Sequence, residues 1–154
     1  MAYEFKMRRI IEFVETDMAG IVHFSNFFRF MESVETAFFR SLGCEICYPK
    51  PVPTSGLPRV HAECDYLYPL RFEDEIEIHL IVREISEKSI TYNLLFNRVA
   101  PSPVQIAAKG KLIVAFVSYD PVSGVIKSEP IPSGIRSKIE VAPPSRLDLF
   151  DNIP

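Results

Sequence analysis

The chain has 154 residues, 47% hydrophobic and 24% charged, which is the size and balance of one folded domain and excludes a disordered chain. A formal net charge of −3 supplies no overall basic field, so neither nucleic acid nor an acidic lipid surface is expected as a partner, and an anionic ligand has to be held by a local cluster. No run approaches the roughly 18 apolar residues of a membrane span, and Met1-Ala2-Tyr3-Glu4-Phe5-Lys6 has no apolar signal core, so the expected compartment is the cytoplasm, which three cysteines also fit.

From Tyr3 to Val14 the residues alternate, with Tyr3, Phe5, Met7, Ile11 and Phe13 on one face, and the pattern predicts a half-buried strand. It runs into Val14-Glu15-Thr16-Asp17-Met18-Ala19-Gly20-Ile21-Val22-His23-Phe24-Ser25-Asn26, which sets an acid, a glycine turn and a histidine beside a helix start. Ser25 or Asn26 can cap that helix. Phe27, Phe30, Met31, Val34, Phe38 and Leu42 follow at spacings of three and four, and Gly43 can end the helix. Phe28 and Phe39 widen the apolar stripe, as expected of a helix wrapped by a sheet or pressed into a partner.

Prolines make Cys44 to Leu57 an irregular loop of a length suited to a lid or substrate wall. Cys44-Glu45-Ile46-Cys47 has redox or zinc spacing, but no second ligand pair follows, so it reads as two small loop residues. Four strand-like runs come next: Arg59 to Tyr68, Glu75 to Ile85, Ser89 to Val99, and Val104 to Tyr119, with Gly110 suggesting a bulge or bend. His79 is expected to be exposed. Short links favour antiparallel hairpins. The stretch from about 120 to 154 reads as an irregular tail with one turn or short helix over Ile135 to Glu140. The expectation is a single α+β domain, residues 1–154, with an antiparallel five- to six-stranded sheet and one long central helix. Its outer sheet face would be open, which favours a homo-oligomer, either a dimer or a dimer of dimers.

Thr16-Asp17-Met18-Ala19-Gly20-Ile21-Val22-His23-Phe24-Ser25-Asn26-Phe27-Phe28-Arg29-Phe30 ahead of the helix resembles the hot-dog fold acyl-CoA thioesterases, and most the 4-hydroxybenzoyl-CoA thioesterase branch. Cys64-Asp65-Tyr66-Leu67-Tyr68-Pro69-Leu70-Arg71-Phe72-Glu73-Asp74 is similar to the segment that leads this family into its next strand. The resemblance implies a sheet wrapped around the central helix and hydrolysis of an acyl-CoA thioester with no metal or organic cofactor. It places the site at a dimer interface, with Asp17 as the catalytic carboxylate and the Phe24 backbone N–H polarising the thioester carbonyl.

Such a reaction needs a nucleophile or a base for water, and a donor for the developing oxyanion. Asp17 can be either nucleophile or base, and the sequence leaves both open. Taken alone it reads as a turn or capping aspartate, the commoner use of such a residue; the resemblance reverses that. Gly20 would let the chain bend enough to aim an amide into the site, and the first amides of the Ser25–Phe28 helix start would add positive dipole. His23 departs from the Tyr or Phe of many relatives and would either orient water or pack. Ser25 and Asn26 are substrate-binding candidates at the helix start. Arg59 and His61 could line the acyl pocket. Lys88 and Ser89 occupy the turn where relatives contact pantetheine or the CoA phosphates, and Arg71, Arg98, Lys109 and Lys111 are further phosphate candidates. Glu32, with Glu35 nearby, is a reserve acid. Phe24, Phe27, Phe28 and Tyr48 would suit an aromatic or medium acyl chain, and equally a core. Two other readings stay open: an acyl-thioester hydratase or dehydratase, and a non-catalytic acyl-CoA-binding module.

Overall fold

The computed structural model describes residues 1–44 and 54–153; Cys47 and Tyr48 lie outside them. Strand β1 (Glu4–Ile10) stops four residues earlier than the alternation predicts. Glu15 is the reason: its carboxylate accepts the Glu12 N–H at 2.9 Å, and its own N–H donates to the Glu12 carbonyl at 3.0 Å, winding Phe13–Glu15 into one 3-10 turn. Helix α1 (Asn26–Ser41) buries Phe27, Phe30, Met31, Val34 and Phe38 of the predicted stripe, together with Phe39, while Leu42 follows the helix as its half-buried C-cap. Gly43 takes φ +62° just past its end, as the helix stop required.

A two-residue strand, β2 (Ser55–Gly56), interrupts the proline loop that was expected to be irregular. Then come β3 (Arg59–Tyr66), β4 (Glu75–Ile85), β5 (Ser89–Ala100) and β6 (Gln105–Ala115). The main sheet is antiparallel throughout, in the order β1-β4-β5-β6-β3. Its inner face lays Ile76, Ile78, Leu80, Val82, Ile90, Tyr92, Leu94 and Phe96 against α1. Gly110 marks no shift of register. A Cβ there would stand 2.3 Å from the Met31 Cε, so the glycine admits the helix close to the sheet.

The predicted last strand breaks at Phe116. Its end, β7 (Val117–Tyr119), joins β2 and β8 (Ile126–Ser128) in a small second sheet. The tail carries more structure than its prolines suggest: α2 (Ser133–Arg136) and α3 (Pro144–Asp151). Helix α3 covers part of the outer face, where Phe150 and Leu147 pack with Ile81, Tyr3 and Leu95. Arg83 holds Asp151 through two hydrogen bonds of 2.8 and 3.2 Å, and Lys109 Nζ donates to the Ile153 carbonyl at 3.0 Å. His79, expected to be exposed, is therefore buried beside the Phe150 ring and bonded to Glu4 at 2.8 Å, and burial holds its pKa below the ordinary value. Phe150→Ala is expected to cost about 3 kcal/mol of stability, read as a lowered urea midpoint, because it strips the main apolar contact of α3.

With α3 on the outer face, the open element is the edge strand. β3 is exposed along its length except at Cys64, which is half-buried. Val60, Tyr66, Leu67 and Tyr68 stand exposed on or just after it. An apolar strand edge with unpaired backbone groups is a surface that pairs with another strand.

Candidate active site

Asp17 opens a hairpin turn closed by an antiparallel bridge between Thr16 and Val22. Its N–H donates to the Ile21 carbonyl at 2.9 Å, and its carbonyl accepts the Gly20 N–H at 2.9 Å. Gly20 sits at φ +73°, the left-handed conformation this turn needs. The Asp17 Oδ1 accepts the Ala19 N–H at 2.8 Å; Oδ2 has no partner among the described residues. The carboxylate is thus fixed in direction with one oxygen left to act. The turn is tied down from behind by the Val22 N–H on the Leu70 carbonyl at 2.8 Å and by Arg71 Nη1 on the Gly20 carbonyl at 3.5 Å. This is where the second matched segment meets the first.

Met18 is fully exposed, so within one copy it does not screen the Asp17 carboxylate from water. Exposed Phe13 and Phe72 instead meet edge to face at 5.7 Å and, with Met18, flank the depression holding Asp17.

The helix start also differs from expectation. Neither Ser25 nor Asn26 caps it through a side chain. Ser25 Oγ bonds His23 Nδ1 at 2.8 Å. Asn26 is the first helical residue and is buried, its Nδ2 donating to the Glu15 carbonyl at 2.8 Å, so it faces the interior and not a ligand. The Asn26, Phe27 and Phe28 N–H groups bond back to the His23, Phe24 and Ser25 carbonyls at 2.9, 3.3 and 3.3 Å. Those amides, expected to offer dipole, are taken. The Phe24 N–H is not: it has no acceptor among the described residues. The His23 ring is exposed and lies 4.5 Å from that of Phe24.

The structure gathers Asp17, Gly20, His23, Phe24, Ser25 and Asn26 at one end of the sheet, the end of Ile10, Glu75, Ala100 and Tyr66. Lys88 and Ser89 turn at the opposite end, where Ser89 pairs Ala115, and Arg59 lies there too, pairing Val114. Eleven residues of β4 separate the ends, roughly 35 Å of strand. One copy does not bring these groups together. Arg59 is bound to Glu35, and His61 Nε2 to Glu63 at 2.8 Å. Lys88 Nζ donates to the Ser128 carbonyl at 3.3 Å, and Ser89 Oγ bonds Ser86 at 2.7 Å. Arg98 is buried, stacked 4.6 Å from the Tyr68 ring centre and donating to the Pro103 carbonyl, so it holds no phosphate. Glu32 is exposed; the interior acid of the helix is Glu35, 2% exposed. Burial pushes the Cys64 thiol up to about 12, which removes it as a nucleophile. Among the described residues no three His, Cys, Asp or Glu side chains are grouped to hold a metal, and no helix is long and apolar enough to cross a membrane.

Sequence reasoning missed Glu15 and Tyr66. Glu15 is buried, its carboxylate bound by Arg9. Its carbonyl accepts the His23 N–H at 2.9 Å as well as Asn26 Nδ2. Tyr66 Oη donates to the Phe24 carbonyl at 3.2 Å. A glutamate two residues before the aspartate was the only signal for the first, and nothing local signalled the second.

A five-stranded antiparallel sheet closed on one long helix, with a rigid aspartate turn directly before that helix, defines a hot-dog thioesterase. The profile of the Thioesterase-like superfamily matches residues 11–139, and the chain belongs to that superfamily. A protein of Aquifex aeolicus (strain VF5), named as a proposed esterase, is 40% identical over 93 residues, 59% of this chain and 70% of its own. The 1,4-dihydroxy-2-naphthoyl-CoA hydrolase of Prochlorococcus marinus (strain MIT 9211) is 34% identical over 99 residues, 60% of this chain; the chain spans 66% of that relative's length. The crystal structure of 4-hydroxybenzoyl-CoA thioesterase from Pseudomonas sp. strain CBS-3 superimposes with a TM-score of 0.74 at 22% identity, covering 88% of this chain and 99% of that one, which shows a shared fold.

Proposed function

We propose that the protein hydrolyses an acyl-CoA thioester to the free acid and CoA, without metal or organic cofactor. Asp17 acts as nucleophile or general base, and the Phe24 N–H receives the oxyanion. The observation that carries this is that, among the described residues, a rigid turn holds a carboxylate oxygen without a partner and, a few residues on, the Phe24 amide has no acceptor. A thioester is already activated by its weakly donating sulfur, so these two groups suffice. The named CoA hydrolases among its relatives support the class of substrate.

The site is completed by a second copy. Pairing β3 with its own symmetry mate across a two-fold axis would bury the exposed edge. It would also reverse one sheet against the other, carrying the partner's Lys88–Ser89 end to the Asp17 end of the first. That reconciles sites lying apart in one copy. The aromatics Phe13, Phe24 and Phe72, exposed here, would then wall an acyl pocket.

Purified protein is expected to release CoA from benzoyl-CoA or a medium-chain acyl-CoA without added metal, followed by a thiol-reactive chromophore. Hydration of an enoyl-CoA without CoA release would move it to the hydratase reading, and tight binding without turnover to the binding-module reading. Val60→Lys on β3 is expected to shift sedimentation from dimer or tetramer to monomer and to remove most activity with it. An active monomer would overturn the shared site.

A further inference from the structure

We infer that Asn26 and Tyr66 are positioning residues for the Phe24 amide, holding its turn from the inside and the outside; this rests on the reading of that amide as oxyanion donor. The inner hold centres on Glu15. Its carboxylate is bound by the Arg9 guanidinium, which lies 4.3 Å over the Phe30 ring, and accepts the Glu12 N–H. With the side chain so anchored, its carbonyl oxygen accepts from both ends of one turn: the His23 N–H at 2.9 Å and Asn26 Nδ2 at 2.8 Å. Phe24 and Ser25 are the two residues between.

The peptide plane explains why this aims the donor. The Phe24 N–H belongs to the His23–Phe24 peptide, which is flat, so the direction of the His23 carbonyl dictates that of the N–H opposite. The His23 carbonyl is fixed at 2.9 Å by the backbone N–H of Asn26, whose side chain is itself bound to Glu15. Asn26 thus fixes the plane through its main chain and its own place through its side chain. A poor helix former in the first turn is useful here because its short amide reaches back to a carbonyl.

The outer hold is Tyr66 on β3. Its hydroxyl donates to the Phe24 carbonyl at 3.2 Å, fixing the next peptide plane, and its ring stands edge-on to Phe27 at 5.1 Å. Tyr66 lies on the exposed edge strand, 47% exposed. The strand proposed to meet a second copy therefore also holds the donor peptide.

The test is the carbonyl stretch of carbonyl-labelled benzoyl-CoA bound to Asp17→Asn, where turnover is slowed, by infrared difference spectroscopy recorded before the substrate is consumed. The stretch is expected below that of free benzoyl-CoA, and to move back toward it on adding Asn26→Ala or Tyr66→Phe. With Asp17 intact, Asn26→Ala is expected to lower kcat about 10- to 100-fold and Tyr66→Phe about 3- to 10-fold, with KM within about twofold, since misplacing a donor costs the transition state more than the ground state. An unmoved stretch in either folded variant overturns the assignment of that residue. No lowered stretch in Asp17→Asn itself would instead defeat the oxyanion reading beneath it. Should Asn26→Ala fail to fold, Tyr66→Phe, which keeps its ring on an exposed strand, decides: a restored stretch supports the positioning and an unmoved one overturns it.

Discussion

Asp17→Asn is expected to lower kcat for acyl-CoA hydrolysis by about 100- to 10,000-fold, the span assigned to a positioned carboxylate in acid–base or covalent work, with the unfolding temperature unchanged. The two effects separate because asparagine keeps what the turn needs. Its Oδ1 can still accept the Ala19 N–H, and the Gly20 and Ile21 backbone bonds do not involve the side chain. Asp17 is exposed in the single copy, so neutralising it removes no buried partner. The loss then falls on the chemistry alone, and CoA release against a thermal melt measures both. Heavy-oxygen water separates the two roles. A nucleophilic Asp17 forms an anhydride, and water attacking its aspartyl carbon leaves label in the side chain. A general base directs water to the acyl carbon, and all label goes to the product acid. Retention of full kcat would return Asp17 to the turn-forming role it has by residue type alone.

What could be read before folding divides along physical lines. The α1 stripe and the β4 and β5 alternation were legible because each element buries one face, and burial writes a period of 3.6 or 2 into its own residues. His79 was misread for the same reason: alternation reports which face a residue takes, not whether a distant helix such as α3 later covers that face. The Asp17 turn was legible because glycine and aspartate carry their conformations locally. The state of the helix-start amides was not, since Asn26 is a common capping residue and only the position of Glu15 diverts its side chain inward. Lys88 and Ser89 were substrate candidates by resemblance and Arg59 by its place after the proline loop, and strand order sets all three at the far end of the sheet from Asp17. No one-dimensional pattern records which end of a strand meets which, least of all across a second copy.

Arg59 is the second position with a large expected effect, and its sign depends on pH. Burial is the main force on Glu35 and raises its pKa from 4.5 to about 7, against the pull of the Arg59 guanidinium. A carboxyl that binds its proton more tightly folded than unfolded makes stability fall as pH rises from the unfolded pKa to the folded one. As pH climbs from 4.5 to about 7, the native chain therefore loses roughly 3 kcal/mol of this contribution, at about 1.4 kcal/mol for each tenfold fall in proton concentration, and little more beyond. Glu35→Gln is expected to flatten that slope. In Arg59→Met the outcome divides. At about pH 5 the carboxyl is protonated with or without its partner, so the loss should be under about 1 kcal/mol. At about pH 8 Glu35 must ionise alone in the core or hold its proton against the solvent; holding it, one pH unit above its native pKa of about 7, adds at most about 1.4 kcal/mol, so the total loss should reach about 2 kcal/mol. Arg59→Met with Glu35→Leu should recover most of that, since it removes the stranded acid along with its partner. Urea unfolding at the two pH values checks each case. An equal loss at both would assign Arg59 to packing by its methylene stem, and the interior acid would then not depend on the strand that carries its partner.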